Sequence, residues 1–221
     1  MIIEYIINKI KQTKKSKPII VAFDGVDTSG KTTLADAVYL SIRKHKIFEP
    51  IRVQIDRFHN PKETRTKKGD LSPEGFFYDS FNLSAIFENI INPIKKGSGP
   101  IITGIYDYKM EQHIEERKIP ISSNSIILFD GIFMHRDELY KNWDLSIFLD
   151  ISFETVLKRA INRDMDLLGS EENIKKRYLC RYIPGEEIYL NSCHPKERAH
   201  IVIDNNDFES PKILKEFNRN A

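Results

Sequence analysis

The sequence predicts an α/β fold of three layers, a five-stranded parallel sheet with helices on both faces. Five short apolar runs carry the prediction, at residues 18–23, 50–55, 126–129, 145–149 and 200–203. They are close to continuous and rich in β-branched and aromatic residues, as in strands buried on both faces. Stretches with apolar residues at helical spacing lie between them, and that alternation gives a parallel sheet. The last observation is what closes the runs. The first leads into a glycine loop, and Asp56, Asp130 and Asp150 end the next three. Polar side chains therefore gather at the carboxyl ends of the strands, where sheets of this kind bind ligands. At 221 residues the chain suits one domain with a long insertion.

The elements follow in order. Residues 1–7 are apolar apart from Glu4, with Lys9 and Lys11 close behind, and read as an amphipathic helix laying its isoleucines on the domain. They lack the cleavage site of a signal peptide and the length of a membrane span. The basic run at 11–17 reads as a solvated link. The helix after the glycine loop carries Leu34, Ala37, Val38 and Ser41 at helical spacing and runs to about His45. The second strand, 50–55, is expected beside the first. Residues 57–70 are too polar for core, with Lys62, Arg65, Lys67 and Lys68, and long enough to imply function or disorder. Ser72-Pro73-Glu74 reads as a helix start, since Ser caps, Pro suits the first position and Glu the first turn. Leu83, Ile86, Phe87 and Ile90 mark another helix, which Gly97-Ser98-Gly99-Pro100 breaks. Residues 101–119 read as a two-stranded excursion from the main sheet. Ser152, with Thr155 three residues on, caps a helix bearing Val156, Leu157, Ala160 and Ile161. A charged stretch at 164–173 leads to a further helix ending near Pro195, and 212–218 reads as a closing helix.

Composition narrows the partners. A formal net charge of +2 with 30% charged residues implies no broad nucleic-acid-binding field. Cys180 and Cys193 have neither metal-ligand spacing nor a disulfide framework, which points to reduced thiols in a cytoplasmic protein. Neither nucleic acid nor membrane is expected as a partner.

The chemistry starts at Gly25-Val26-Asp27-Thr28-Ser29-Gly30-Lys31-Thr32, which fits G-x-x-x-x-G-K-[ST] at every fixed position. The glycines allow a tight turn that points successive N–H groups inward, and the next helix adds its unpaired N–H groups and positive dipole end. Gly25, Asp27, Thr28, Ser29, Gly30, Lys31, Thr32 and Thr33 form the nucleotide-binding set. Lys31 reaches the β- and γ-phosphates and the Thr32 hydroxyl binds Mg²⁺. With a strand before and a helix after, the loop reads as that of a P-loop NTPase holding ATP or another nucleoside triphosphate. Residues 126–130 have the pattern of a Walker B strand, whose Asp130 supports Mg²⁺ directly or through water. An Asp opening a turn with Gly131 is the other reading. Asp56, at another strand end, suits a base that takes the proton of an attacking hydroxyl, or else caps a turn.

Several segments recur together. The phosphate loop, Gln54-Ile55-Asp56-Arg57-Phe58-His59, Tyr106-Asp107-Tyr108, Leu128-Phe129-Asp130-Gly131, and Lys158-Arg159 through Arg163-Asp164 stand in that order. In order and approximate spacing they resemble the uridine kinase family, within the wider uridine kinase and phosphoribulokinase group of P-loop kinases. Ser72-Pro73-Glu74-Gly75-Phe76, Asp79-Ser80-Phe81, Arg181-Tyr182-Ile183-Pro184-Gly185 and Ile203-Asp204-Asn205-Asn206-Asp207 are similar more narrowly to bacterial uridine kinase-like proteins. The resemblance implies ATP- and Mg²⁺-dependent transfer of the γ-phosphate to the 5′-hydroxyl of uridine or cytidine. Asp56 is then the base facing that hydroxyl, and Thr32 and Asp130 hold the metal. Arg159 and Arg163, four apart on one helix face, reach the transferred phosphate beside Lys31 as a lid closes. Ion pairing with Glu154, Asp164 or Asp166 is their alternative. The segment 205–208, Asn206 included, lies near adenine, and His59, Tyr106 and Tyr108 face the acceptor. The same resemblance implies one kinase domain: an N-terminal helix at 1–16, an acceptor-binding insertion at about 57–122 and a lid at about 163–175. Its partner is a small-molecule substrate, with a homo-oligomer left open.

Two departures concern the acceptor. The family has Tyr three residues after the base, where this chain has His59. The family's second ribose-binding acid, in a Phe-Asp-His-Pro-like element, has no clean counterpart, leaving Glu74 or Asp79 as substitutes. A non-nucleoside alcohol of the pantothenate or sugar-phosphate type is therefore the alternative acceptor. The rival from another class is an NTP-binding regulatory protein. A GTPase would carry Asn-Lys-x-Asp, whereas Asn8-Lys9-Ile10-Lys11 lacks the Asp and precedes the loop.

Overall fold

The computed structural model describes residues 2–216. Its central sheet comprises β1 (Ile19–Gly25), β2 (Glu49–Gln54), β3 (Ser125–Asp130), β4 (Leu145–Asp150), β5 (Ile201–Asp204) and β6 (Lys212–Glu216). Their spatial order is β6-β5-β4-β1-β3-β2. The five expected strands are parallel to their neighbours. The sixth was unexpected: β6 pairs antiparallel with β5, so 212–216 extends the sheet where the sequence suggested a helix. Pairing there satisfies the outer edge of β5, and Lys212, Lys215 and Glu216 leave a charged edge in its place. Residues 217 and 218 of the expected helix lie outside the described residues.

A second correction concerns neighbours. β2 does not lie beside β1, because β3 runs between them, with Asp130 opposite both Phe23 and Gln54. Asp130 therefore stands between the phosphate loop and the turn that bears Asp56.

The unbroken apolar strands have a simple origin. Along β1, Ile20 and Ala22 pack into a core with Phe129, Phe148 and Trp143, while Ile19, Val21 and Phe23 pack into a separate one with Leu128 and Ile147. Successive side chains enter opposite faces, and both faces are covered. One cover is α1 (Ile2–Thr13), which buries Ile6, Ile7 and Ile10, together with α2 (Lys31–His45). In α2 the buried residues are Ala35, Val38 and Ile42; Leu34 is half-buried against the same core and, with Ala37, also lines a cavity beside the phosphate loop.

The opposite face carries α3 (Pro73–Asp79) and the helical run through residues 83–96. Ser72 caps α3 by accepting from the Gly75 N–H at 3.0 Å, with Pro73 at its start. Further along are α4 (Phe153–Leu168), capped by Ser152 through the Thr155 N–H at 3.1 Å, then α5 (Glu171–Arg177) and α6 (Ile183–Cys193). Two π-turns, Phe87–Ile91 and Tyr178–Tyr182, each come just before a helix with a proline in its first turn, Pro93 and Pro184. Proline has no N–H and crowds the carbonyl four residues back, so the helix widens by one residue there. The expected excursion is two small ribbons, Pro100–Ile102 with Lys118–Pro120 and Tyr106–Asp107 with Gln112–His113. Among the described residues, no helix is long and apolar enough to cross a membrane.

Candidate active site

The loop from Gly25 to Thr32 joins β1 to α2. Two of its positions require glycine. Gly25 has φ +154°, and a Cβ there would lie 2.5 Å from Ser29 Oγ and 2.7 Å from the Leu149 carbonyl. Gly30 has φ +91°, and its Cβ would meet Asn205 Nδ2 at 2.7 Å. Gly30 also offers no side-chain cap, so the first N–H groups of α2 stay free for an anion. Thr28 takes φ +55°, its N–H donated to Asp27 Oδ1 at 3.1 Å. Lys31 Nζ rests on the Val26 carbonyl at 3.2 Å. The far end of the chain braces the loop: Asn205 donates from Nδ2 to the Ser29 carbonyl at 2.7 Å. Asn206, the residue expected near adenine, instead accepts from the Ser152 N–H at 2.9 Å and the Thr155 hydroxyl at 3.0 Å, capping α4. Its neighbour Asn205 is the one on the loop.

The metal-side residues meet as the motifs imply. Thr32 Oγ1 donates to Asp130 Oδ2 at 2.5 Å. Asp130 is 3% exposed, and Arg52 Nη2 contacts its Oδ1 at 2.7 Å while Arg52 Nε contacts Asp36 at 2.8 Å. A hydroxyl and a carboxylate side by side, next to free helix N–H groups and Lys31, are the hard-oxygen donors that suit Mg²⁺ on a triphosphate. Nothing in the notation of the motif pointed to Arg52. A lone Arg between Ile51 and Val53 in an otherwise apolar strand was its sequence signal.

Asp56 sits on a 3₁₀ turn, Ile55–Phe58, directly after β2. Its side chain is exposed, and Lys31, Asp27, Asp130 and His59 are its charged neighbours. Confinement by protein raises its carboxyl above the usual range; His59 and Lys31 oppose that, and Asp27 and Asp130 add to it. His59 accompanies it, with Nδ1 2.8 Å from the Asp56 carbonyl oxygen and its ring 4.6 Å from each of Phe81 and Tyr108. Burial lowers the His59 imidazole and pushes the Tyr108 phenol up to about 12. Tyr106 belongs to the ribbon instead: it is 5% exposed and donates its hydroxyl to Glu111 at 3.0 Å. Neither substitute acid is free, since Asp79 pairs with Lys68 at 2.9 Å and Glu74 accepts from the Ser72 hydroxyl at 3.1 Å.

The two arginines of α4 part company. Arg163 reaches the loop, bonding Asp27 Oδ1 at 3.1 Å, Asp164 Oδ1 at 2.7 Å and the Tyr178 hydroxyl at 2.9 Å. Burial opposes the charge on Asp27, but Arg163 and Lys31 outweigh it and hold the carboxyl down to about 2. Arg159 lies on the other side. It donates to the carbonyls of Thr28 at 3.2 Å, Asn205 at 2.7 Å and Asn206 at 3.0 Å, and stacks over Phe208 with its guanidinium carbon 5.8 Å from the ring centre. There it lines an open, largely apolar cavity of about 710 Å³ with Ile3, Leu34, Ala37, Leu149 and Phe208. That cavity adjoins the phosphate loop and has the size and lining of a nucleotide base site.

Beneath the loop is a set of buried polar groups that sequence reasoning missed. Asp24, 0% exposed, accepts from the Gly25 N–H at 2.7 Å, lies 2.5 Å from His135 Nδ1 and takes the Tyr189 hydroxyl. One turn earlier on α6, Glu186 Oε1 accepts from the Asp27 N–H at 2.5 Å. Their signal was polar residues on the apolar stripe of α6, where Ile183, Glu186, Tyr189 and Cys193 are all buried.

Comparison with known proteins agrees with this geometry. A family model described as "Phosphoribulokinase / Uridine kinase family" matches residues 20–208. "Uridine-cytidine kinase B" of Dictyostelium discoideum is 27% identical over 194 residues, covering 86% of this chain and 76% of that protein. "Uridine kinase" of Bacillus velezensis is 26% identical over 193 residues, covering 84% and 85% respectively. Among solved structures, "Structure of a Possible Uridine Kinase from Bacillus stearothermophilus" superposes with a TM-score of 0.72 at 20% identity, over 90% of this chain and 96% of that one. The chain belongs to the phosphoribulokinase and uridine kinase family of P-loop kinases.

Proposed function

We propose that the protein transfers the γ-phosphate of ATP to the 5′-hydroxyl of a pyrimidine nucleoside, uridine or cytidine. The observation that carries this reading is Asp56, a solvent-exposed carboxylate with Lys31 and Asp130 among its charged neighbours, three residues before His59 and its two ring contacts. In the reaction the acceptor oxygen bonds to the γ-phosphorus, the bond to the ADP oxygen breaks, and the acceptor proton passes to Asp56. Mg²⁺, when bound, neutralises charge on the β- and γ-phosphates. Thr32 and Asp130 would hold it, Lys31 would exchange the Val26 carbonyl for a phosphate oxygen, and the amides of Gly30 to Thr33 would receive the remaining charge. His59 and Tyr108, both half-buried, supply ring faces for a pyrimidine, and buried Phe81 backs His59. Both arginines touch the loop; in this scheme Arg159, held on the Thr28 and Asn205 carbonyls beside the apolar cavity, serves the donor base, and Arg163, on the Asp27 side chain, serves the transferred group. The domain division at about 57–122 and 163–175 is kept as part of the same proposal, acceptor side and lid.

The relatives named for uridine and cytidine support the acceptor. A second reading has its own observation: Glu74 accepts from the Ser72 hydroxyl and Asp79 pairs with Lys68, so neither candidate ribose acid is set beside Asp56, and a smaller non-nucleoside alcohol then suits the site. Acceptor-dependent release of ADP decides between them. Uridine and cytidine should stimulate release, and Asp56→Asn should abolish that stimulation. Stimulation by pantothenate or a sugar phosphate alone would select the second reading, and turnover indifferent to any acceptor would sink both.

A further inference from the structure

Glu186 is a carboxyl group with no water contact, and one of its oxygens has no partner. It is 0% exposed; Oε1 accepts from the Asp27 N–H at 2.5 Å, and Oε2 is bonded to nothing among the described residues. The same helix holds the loop a second time through Tyr189 and Asp24. Glu186 and Tyr189 are one turn apart, so α6 grips both ends of the four residues Asp24 to Asp27. On its other side α6 lies directly on α3: a Cβ at Gly185 would sit 2.9 Å from the Pro73 carbonyl and 2.7 Å from Phe76 Cδ1.

We infer that Glu186 is a positioning residue for the phosphate loop and does that work as a neutral, protonated acid. Its carbonyl oxygen fixes the Asp27 amide, and its remaining O–H keeps a second negative charge away from the site that must receive a triphosphate. A buried carboxylate with one bare oxygen is a costly arrangement, and the proton lowers that cost by removing the charge, leaving only an unpaired hydroxyl. Charge around it points the same way. Asp27 is the nearest acid and is held ionised by Arg163 and Lys31, so two carboxyl groups joined through one amide are driven to opposite states. The charges acting on Glu186 are Asp27 and Lys31 of the loop and Arg163 of α4. The face of α3 against α6 is Gly75, Phe76 and Phe77, without a titratable group, and Arg181 of the preceding π-turn is spent on the carbonyls of Arg65, Asp70 and Ser72. Burial, the largest influence, and then Asp27 push the Glu186 carboxyl up to about 8.

The sign follows from linkage. Bound triphosphate disfavours ionised Glu186, so the complex holds the proton more tightly than the free protein. Affinity is therefore full below the free carboxyl's value and is lost as pH rises through it. The test measures binding of a non-hydrolysable ATP analogue, at fixed Mg²⁺, from pH 6.5 to 9.5. It compares the unaltered protein with Glu186→Gln and Glu186→Leu, using circular dichroism to check folding of each. The titration of the analogue itself is common to all three and cancels in the ratio. Glu186→Gln keeps the acceptor for the Asp27 amide and should bind at pH 7 within about twofold of the unaltered protein. Relative to that variant, the unaltered protein should lose about tenfold between pH 7 and pH 9, as one proton requires. Glu186→Leu orphans the amide and should bind on the order of tenfold more weakly at every pH. A Gln variant as weak as the Leu variant, or one whose pH profile matches the unaltered protein, overturns the inference. The inference rests on nucleotide binding at the loop and not on the choice of acceptor; failure of the unaltered protein to bind the analogue at any pH would overturn that nucleotide reading with it.

Discussion

Arg52 ties the edge strand to the acid beside the loop, and Arg52→Met measures how much that tie contributes. Methionine keeps the stem and removes the guanidinium, which makes three contacts: Asp36 at 2.8 Å, the Leu128 carbonyl at 2.8 Å and Asp130 at 2.7 Å. The Asp36 side chain is 56% exposed, so solvent screens that contact to about 1 kcal/mol or less. Asp130 is different. At 3% exposed it would keep only the Thr32 hydroxyl, and stripping the partner from a buried charge costs about 3–5 kcal/mol. The surviving hydroxyl bond places the expected loss at the low end, about 3 kcal/mol, or roughly 6–12 °C in Tm for a chain of this length. Urea unfolding of the single variants and of Arg52→Met with Asp130→Asn closes a double-mutant cycle. With the carboxylate already gone, removing the arginine should cost at least about 2 kcal/mol less than in the parent. A loss within 1 kcal/mol of zero for Arg52→Met alone, or an equal loss in both backgrounds, would refute the reasoning.

Three further predictions follow from the cleft. Asp56 must be ionised to take a proton, and confinement raises its carboxyl, so the acid limb of kcat/KM should fall above the ordinary carboxylate value of about 4. Activity is lost as pH drops through that limb; a limb at or below 4 would show that Asp56 is not the base. Arg159→Lys gives up a fork across three carbonyls beside the base cavity and should weaken ATP about tenfold in KM with kcat nearly unchanged. A fall in kcat at constant KM would return Arg159 to the transferred phosphate. Gly185→Ala forces a methyl against the Pro73 carbonyl and Phe76 and should cost about 1–3 kcal/mol of stability in urea. A cost below 0.5 kcal/mol would mean that α6 and α3 slide freely.

The parallel sheet, the loop and the meeting of Thr32 with Asp130 were legible because each depends on local pattern: a two-sided apolar run, a glycine spacing, an acid at a strand end. The order of strands was not. Residues 50–55 alternate Ile51, Val53 and Ile55 with Arg52 and Gln54, a one-faced pattern that suits an edge strand, but the pattern does not name the neighbour, and 125–130 takes the place beside β1. Residues 212–216 read as helix because Ile213 and Leu214 suit either period in so short a run, and the free edge of β5 decided the matter. For Arg159 and Arg163 the four-residue spacing predicts the shared helix face but not where each guanidinium rests. Residues four apart share a helix face, but that face spans the loop, with Asp27 on one side and the Thr28 and Asn205 carbonyls on the other.

The loop also explains why its supports could not be read from its motif. A strained turn with free amides is useful only if it is held in that shape before the nucleotide arrives, because ordering it on binding would subtract from the stabilisation of developing charge. The motif residues supply the amides, and residues distant in sequence do the holding. Asn205 fixes the Ser29 carbonyl, Glu186 the Asp27 amide, and Asp24 is itself held by His135 and Tyr189. All but Asp24 lie more than 100 residues from the loop, and each is an ordinary polar residue whose role appears only on burial. The acceptor cleft follows the same rule more severely. Asp56, Phe81 and Tyr108 come from three separate elements with His59 wedged between the two rings, and the shape they leave is a property of how α3 and the small ribbons pack. The amides that face the phosphate-binding turn come from one contiguous stretch, whereas the cluster of Asp56, His59, Phe81 and Tyr108 is assembled from separate ones.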